Sequence, residues 1–555
     1  MKHHIALVAA FVLTAAGASH AVDLDEASIT GNIQSDMLVP QQDAAIGTEN
    51  TGAFNTNTYL TLNAFSKYIS AGLRVEFNEF PLPGFEQDFK GWGLPHFYAT
   101  GNIAKTEITG GTFYEQFGSG FILYGYEERS LGVDNSILGG RVVTSIIPGA
   151  RIKVLGGVQR NYWEWTNAAL YGGDLELTFE DWIKPMNEHN TRLMLGLSYV
   201  SRHEGDEDIY AAPGYRLNLP QNVGAFDARI KFGKGGFDLL AEYAYKANDP
   251  SASNGYIYRP GQVAMLSASY SQRGMSLLLQ AKRSDNFAFR TERSADPKSS
   301  ARYINYLPAF TYQHTYALAA LYPYATQMMG EWAFQGEFRY SFKRKTALGG
   351  RYGTDLILRG SLIYDIERNM VESSLADASM GKYGYMGSNG YTSPFFGMGG
   401  LLYAEAGIEI NKKFTKDFKL NAMYMFQKYN KSVIEGEGGM INSHIIVLDG
   451  KYQISRKVTA RVELQYLHTK QDQGDWVYGL AEVSVLPYLM FTVSDMWNTG
   501  STNLHYYQAL VTGTYKSHRL QAGYVRTRAG YNCAGGVCRY IPATRGVQIS
   551  YSYNF

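Results

Sequence analysis

The densest run of chemistry-bearing side chains is YEERSLGVDNSILGGRV, which sets Glu127, Glu128, Arg129, Asp134, Asn135 and Arg141 beside glycine-rich turns. Carboxylates and guanidiniums at this density suit either a constriction that meets a polar ligand or a set of ion pairs that braces a folded loop. Elsewhere opposite charges recur at short even spacings: Glu337 with Arg339, Asp355 with Arg359, and Arg461 with Glu463. Catalytic chemistry lacks its usual spacings. The eleven His contain no HExxH and no close Cys/His cluster, and His314, His444, His468 and His505 stand singly. FGSGFILYG has the glycines of a phosphate loop but neither its lysine nor a following helix. No Ser sits in a recognisable nucleophile context. Neither a metal, nor a cofactor, nor enzymatic activity is expected. The two Cys, Cys533 and Cys538 in NCAGGVC, are spaced to close a small disulfide loop in an oxidising compartment.

The elements that carry these charges read as strands. Segments of about ten residues with period-two alternation recur along the chain, the length and pattern of a membrane-spanning β-strand. TRLMLGLSYVS, GAFDARIKFG, EWAFQGEFRYSF and GTDLILRGSLIYD are examples. Placing the apolar partners toward lipid turns the charges inward. In 331–342, Trp332, Phe334, Phe338 and Tyr340 face lipid and Glu331, Gln335, Glu337 and Arg339 face a lumen. In the same way Asp227, Arg229 and Lys231, Asp355, Arg359 and Asp365, and Arg461, Glu463 and Gln465 face inward. A midplane Arg or Lys facing lipid costs about 2–4 kcal/mol, so this facing is strongly preferred. Mixed signs suit internal ion pairs or a weakly selective wet pore better than an ion-selective ring.

The connections alternate between tight and long. Tight ones fall at 233–236, 272–274, 411–416, 455–457, 486–488 and 515–517; long ones at 203–222, 247–260, 285–305, 366–399, 429–440 and 529–543. This is the rhythm of an up-and-down barrel with short turns on one side and long loops on the other. MKHHIALVAAFVLTAAGASHA reads as a signal peptide over 1–21, leaving 22–555 as one barrel domain. Tyr (43) and Gly (59) are frequent and Pro (16) sparse, as an exported all-β chain requires. A net charge of +1 gives no support for nucleic-acid binding. No later apolar run approaches the ~18 residues of a membrane helix. The fold expected is a large antiparallel transmembrane β-barrel of about 22–26 strands in the bacterial outer membrane.

The terminal GVQISYSYNF alternates strictly, and its last strand is expected to close the barrel against one within 28–39. Tyr551, Tyr553 and Phe555 resemble the C-terminal signal of outer-membrane proteins, which implies the barrel assembly machinery as a partner, besides outer-membrane lipid. Barrels of about 22 strands carry a plug, and strand-like sequence begins close behind the leader. The lumen is therefore expected to be obstructed by in-folded loops such as 80–147 or 366–399. Residues 301–330 fit a strand, a bent-in loop or part of a plug. The need for a plug favours the bracing role for the Glu127–Arg141 cluster.

Residues 116–142 (QFGSGFILYGYEERSLGVDNSILGGRV) and 306–327 (YLPAFTYQHTYALAALYPYATQ) resemble a family of outer-membrane β-barrel proteins of unknown function from the Bacteroidota. The resemblance implies a diderm envelope and a barrel, and it carries no substrate. The function expected is a porin-like channel for small polar solutes with a constricted lumen. The competing class is a non-transporting structural or assembly component, docked to an envelope protein through loops 366–399 and 429–440.

Overall fold

A computed structural model describes residues 28–49, 51–297, 299–372, 379–534 and 537–555. The leader expected over 1–21 lies outside the described residues. Twenty-four antiparallel strands close on themselves. They follow one another in chain order, and the last, Thr544–Asn554, pairs with the first, Ser28–Pro40, from Asn32 opposite Asn554 to Pro40 opposite Gly546. Closure leaves no open edge, the condition a sheet must meet in hydrocarbon. The described helices are single turns such as Lys184–Glu188 and Lys431–Ile434, and none is long and apolar enough to cross a membrane.

Alternation sets the facing of each strand. In Asn222–Lys234, Phe226 and Ile230 are exposed outside, while Ala225, Asp227 and Arg229 are buried inside. Exposed rings form two belts, as amphipathic rings do at the two edges of a bilayer. Phe65, Tyr68, Tyr270, Tyr340, Tyr452 and Tyr515 lie toward the end bearing short turns; Tyr199, Phe226, Tyr245, Tyr466, Trp497 and Tyr507 lie toward the other. At the seam Phe555 and Gly31 exchange backbone hydrogen bonds of 2.8 and 3.0 Å, and the Phe555 ring fills the space a Cβ at Gly31 would need. Gly111, Gly139 and Gly157 pair across three adjacent strands. A side chain at Gly139 would collide with the Gly156 carbonyl of the adjacent strand, so glycine is needed where these strands approach so closely.

The loop rhythm has two departures from expectation. Tyr162 and Trp163 make a two-residue turn on the long-loop side, and the connections 179–190 and 343–353 are long on the short side. The region 80–147 resolves into three wall strands, Gly91–Ile103, Thr106–Phe113 and Ile137–Thr144, and one in-folded loop, 114–136. The second in-folded loop spans 286–329 and supplies no wall strand.

These two loops fill the outer half of the lumen with a dry core. Phe117, Phe121, Ile122 and Leu123 from one loop meet Phe287, Phe289, Leu307 and Leu318 from the other. Both pack against inward side chains of the wall, among them Val200, Val223, Val263, Met425, Ile445, Val447 and Leu467. Fully burying a large apolar side chain contributes about 1.5–3 kcal/mol relative to exposure, so several together hold the loops against the wall.

The expectation that loop 366–399 enters the lumen is corrected. Its 391–396 stretch folds over the outside of the wall. Strand Met275–Asp285 points Leu277 and Leu279 outward, so Arg283 and Asp285 also face outward; in Gly330–Phe342 the outward set includes Trp332. All three are buried because the loop covers them. Tyr391 donates to Asp285 at 2.7 Å, Arg283 donates to Ser393 at 2.8 Å, and Phe395 and Phe396 lie against Trp332. A charge cannot face lipid at low cost; here a flap of protein replaces the lipid. Residues 373–378 of that loop lie outside the described residues.

The facing generates a direct prediction. Leu279 is 54% exposed, while its neighbour Gln280 points inward and donates to Ser267. Leu279→Arg is expected to cost about 2–4 kcal/mol and Gln280→Arg about 1 kcal/mol or less, measured by urea unfolding of the barrel in phospholipid vesicles.

Candidate functional site

Charged side chains sort into two groups at different depths of the lumen. The first anchors loop 114–136 to the wall near the outer rim. Strand Ile69–Phe80 supplies Arg74 and Glu76, strand Ala150–Asn161 supplies Arg160, and the loop supplies Glu127, Arg129 and Asp134. Arg74 pairs with Glu76 (2.7 Å), Glu127 (3.0 Å) and Asp134; Arg160 pairs with Glu76 (2.8 Å) and Asp134 (2.6 Å); Arg129 pairs with Glu127 (2.7 Å). Three carboxylates and three guanidiniums thus cancel in a site buried at Arg74, Glu76 and Arg160 and partly open at Arg129 and Glu127. Tyr114 adds a donor to Asp134 at 3.0 Å, and Arg129 stacks over Tyr59 at 4.4 Å. Glu76, Glu127 and Asp134 lie close enough to one another to share a cation, but the guanidiniums already fill that role. Burial alone would raise the Asp134 carboxyl; Arg160 and Arg74 outweigh it and hold the group well below the usual carboxylate range.

Other buried pairs hold the second loop. Lys282 meets Glu331 at 2.9 Å, and Thr326 and Tyr324 also donate to Glu331. Arg293 meets Glu204 at 3.0 Å, and Arg202, paired with Asp249 at 2.9 Å, donates to the Arg290 carbonyl at 2.8 Å. Ser299 and Ser300 donate to Glu86, tying loop 286–329 to loop 81–90.

The second group forms a ladder below the plug on the wall. Glu337 pairs with Arg339 and, at 3.0 Å, with Arg359; Arg359 reaches Glu409 at 2.7 Å. Arg461 pairs with Asp449 at 2.9 Å and with Glu463. Asp355 accepts from Ser341 at 2.6 Å. The Arg339 side chain is 52% exposed, so this part of the lumen is wet. The plug meets the ladder through one short segment. Tyr312 stacks on Arg359 (5.3 Å) and donates to the Gly336 carbonyl; His314 lies 3.1 Å from Glu405; Tyr316 receives a 2.9 Å hydrogen bond from Asn421. On its other side the segment borders a cavity of about 520 Å³ that contains Tyr312, Gln313 and His314 in its lining. Residues 311–316 therefore touch both this cavity and the ladder.

The candidate residues occupy varied positions. Glu127, Arg129 and Asp134 come together in the anchor, while Glu128 caps the turn that follows through Ser130. Arg141 stands apart on the wall with Glu115 (3.0 Å) and Glu107. Glu337, Arg339, Arg359, Arg461 and Glu463 share the ladder, and Asp355 lies beside it. Cys533 and Cys538 face each other across the hairpin 530–541 with their sulfurs joined. Tyr551, Tyr553 and Phe555 lie on the outer face of the last strand, where His518 stacks on Tyr553 at 4.1 Å. Sequence reasoning missed Arg74, Glu76 and Arg160. The first two sit two apart in LRVEF, the alternation that pointed to the other lumen charges.

The anchor predicts a defined acid response. A lowered carboxyl contributes stability that is present above its ordinary pKa and lost as pH falls through the lower folded value. Asp134 should therefore stay ionised, and the plug seated, from neutral pH down through the usual carboxylate range. Asp134→Asn should remove that charge at every pH, at about 3–5 kcal/mol for a broken buried pair. Trypsin cleavage within 114–136 of the folded, heat-modifiable barrel reads this out: absent in the parent at pH 7, present in the variant.

The chain is similar in structure to the ferric enterobactin receptor of Pseudomonas aeruginosa (TM-score 0.44, 10% identity, covering 95% of this chain and 81% of that one). It is also similar to the P pilus usher translocation pore (0.45, 10%, 95% and 99%) and to OccAB3 of Acinetobacter baumannii (0.36, 8%, 96% and 99%). The sequence matches no curated protein. A family model, described as a family of unknown function (DUF6029), matches residues 1–555, and the chain belongs to that family.

Proposed function

We propose that this protein is an outer-membrane channel of a diderm bacterium that passes small polar solutes along a constricted path beside its own plug. The observation that carries the reading is the contact at 311–316, where a polar cavity and a wet, charged ladder come within one peptide segment of each other. The apolar belt and its two aromatic edges support a place in a bilayer. The dry core supports a plug that stays in the lumen: expelling it would expose many buried apolar side chains at about 1.5–3 kcal/mol each. A local shift of 311–316 exposes far less. Tyr312, His314 and Tyr316 hold that segment mainly through hydrogen bonds and one ring contact, with Tyr316 also against the core, so it moves at less cost than the buried core above it. Mixed charge on the ladder suits polar solutes of either sign with weak selectivity.

Single-channel recording of the purified, refolded barrel in a planar bilayer tests the reading. Small, steady, salt-dependent steps are expected. Glu337→Gln and Arg359→Gln should shift cation–anion selectivity in opposite directions, and Tyr312→Ala should enlarge the steps. A folded barrel that stays silent in the parent and in Tyr312→Ala overturns the channel and turns attention to envelope partners held by the outer loops.

A further inference from the structure

The cavity bordered by 311–316 differs from the rest of the lumen. Among the described residues its lining contains no Lys, Arg, Asp or Glu. Seven tyrosines line it. Five of them tie their hydroxyls to other groups: Tyr306 to the Ser300 carbonyl, Tyr312 to the Gly336 carbonyl, and Tyr322, Tyr324 and Tyr403 to Asp472, Glu331 and Glu405. Their rings are thereby fixed, and ring surface is what they offer to the cavity. The polar groups left over are neutral. Among the described residues the Tyr124 and Tyr531 hydroxyls and the Gln313 and Asn532 amides make no side-chain hydrogen bond. Asn532 and Cys533 reach the cavity from the disulfide-closed hairpin on the long-loop side, so the space lies between that hairpin and the plug. At about 520 Å³ it falls within the range of small-molecule sites, ~300–1,000 Å³.

We infer that this cavity binds a short neutral saccharide. A charged ligand would enter a site without a counter-charge and lose its hydration uncompensated. A purely apolar ligand would leave the free amides and hydroxyls unpaired. A sugar has apolar C–H faces that stack on rings and hydroxyl edges that pair with neutral donors and acceptors, and the cavity supplies both. The inference deepens the channel reading and rests on it for its biological meaning: the saccharide class is the solute waiting above the 311–316 constriction.

Binding is measured apart from conduction, so the two fail separately. The full-length refolded barrel in detergent is titrated calorimetrically with four neutral trisaccharides (maltotriose, cellotriose, xylotriose and mannotriose), with trigalacturonate as an anionic counterpart and with the chitosan trimer as a cationic one. At least one neutral trisaccharide should bind, and neither charged one should bind as well. Gln313→Ala, at an exposed position that should not disturb folding, should weaken that binding about tenfold, the worth of one or two neutral hydrogen bonds. Ala320→Trp, which fills the cavity, should abolish it. Failure of all four neutral probes on a barrel shown to be folded overturns the inference, as does equal or tighter binding of a charged trisaccharide or binding unaffected by both variants. A barrel that conducts yet binds no neutral saccharide refutes the inference and leaves the channel standing; one that binds and stays silent does the reverse.

Discussion

The width of the barrel governs everything else in this molecule. A closed wall of twenty-four strands encloses a lumen far too wide to leave open in a barrier membrane. The wall must therefore solve two problems at once. It presents apolar side chains to lipid outside, and inside it must hold loops of its own chain. The outer half of the inner face answers with an apolar surface that accepts Phe117, Phe121, Phe287 and Phe289. The other half stays polar and carries ion pairs that are partly open to water at Arg339.

Ion pairs and apolar packing divide the work of holding the plug. The apolar core supplies the larger favourable term and has little directionality. The anchor at Arg74, Glu76, Arg160, Glu127 and Asp134 adds little net energy, since desolvation offsets most of its attraction. What it adds is position. Each guanidinium has partners on both wall and loop, so a shifted loop would strand a buried charge. Arg293 with Glu204 and Lys282 with Glu331 act the same way on the second loop. The plug is thus fixed at several points around its outer rim and least tied where Tyr312, His314 and Tyr316 touch the ladder.

Much of this was legible in the residues because lipid imposes a strict rule on a strand. Period-two alternation placed the strands, the seam between Ser28–Pro40 and Thr544–Asn554, and the inward facing of Glu337, Arg359 and Arg461. The rule's exceptions carried further information that alternation alone does not interpret. Ile445–Leu448 is apolar on both faces, which a wet lumen does not explain and a dry plug does. Arg283 and Asp285 fall on outward positions, which lipid does not permit and a covering flap does. Loop length could not say whether 366–399 turns in or out, because either course hides a long connection. Side chains brought together across the lumen, such as Asp134 with Arg160, have no local signature at all.

The two halves of the lumen impose a direction on any path through it. A solute from the long-loop side meets neutral rings and amides first, where a charge is costly and a polar uncharged surface is accommodated. Beyond 311–316 it meets paired charges in water, where solutes of either sign are screened by nearby partners. In the channel proposed above, selection by polarity belongs to the outer chamber, and the ladder serves passage more than choice. The segment between them is fastened by Tyr312 and Tyr316 hydrogen bonds and by His314 near Glu405. Breaking these few polar contacts, some of them to charged partners, costs less than unpacking the many buried side chains of the core above them. In the proposed channel a plug built this way remains seated through each passage, with only its lowest strip giving way.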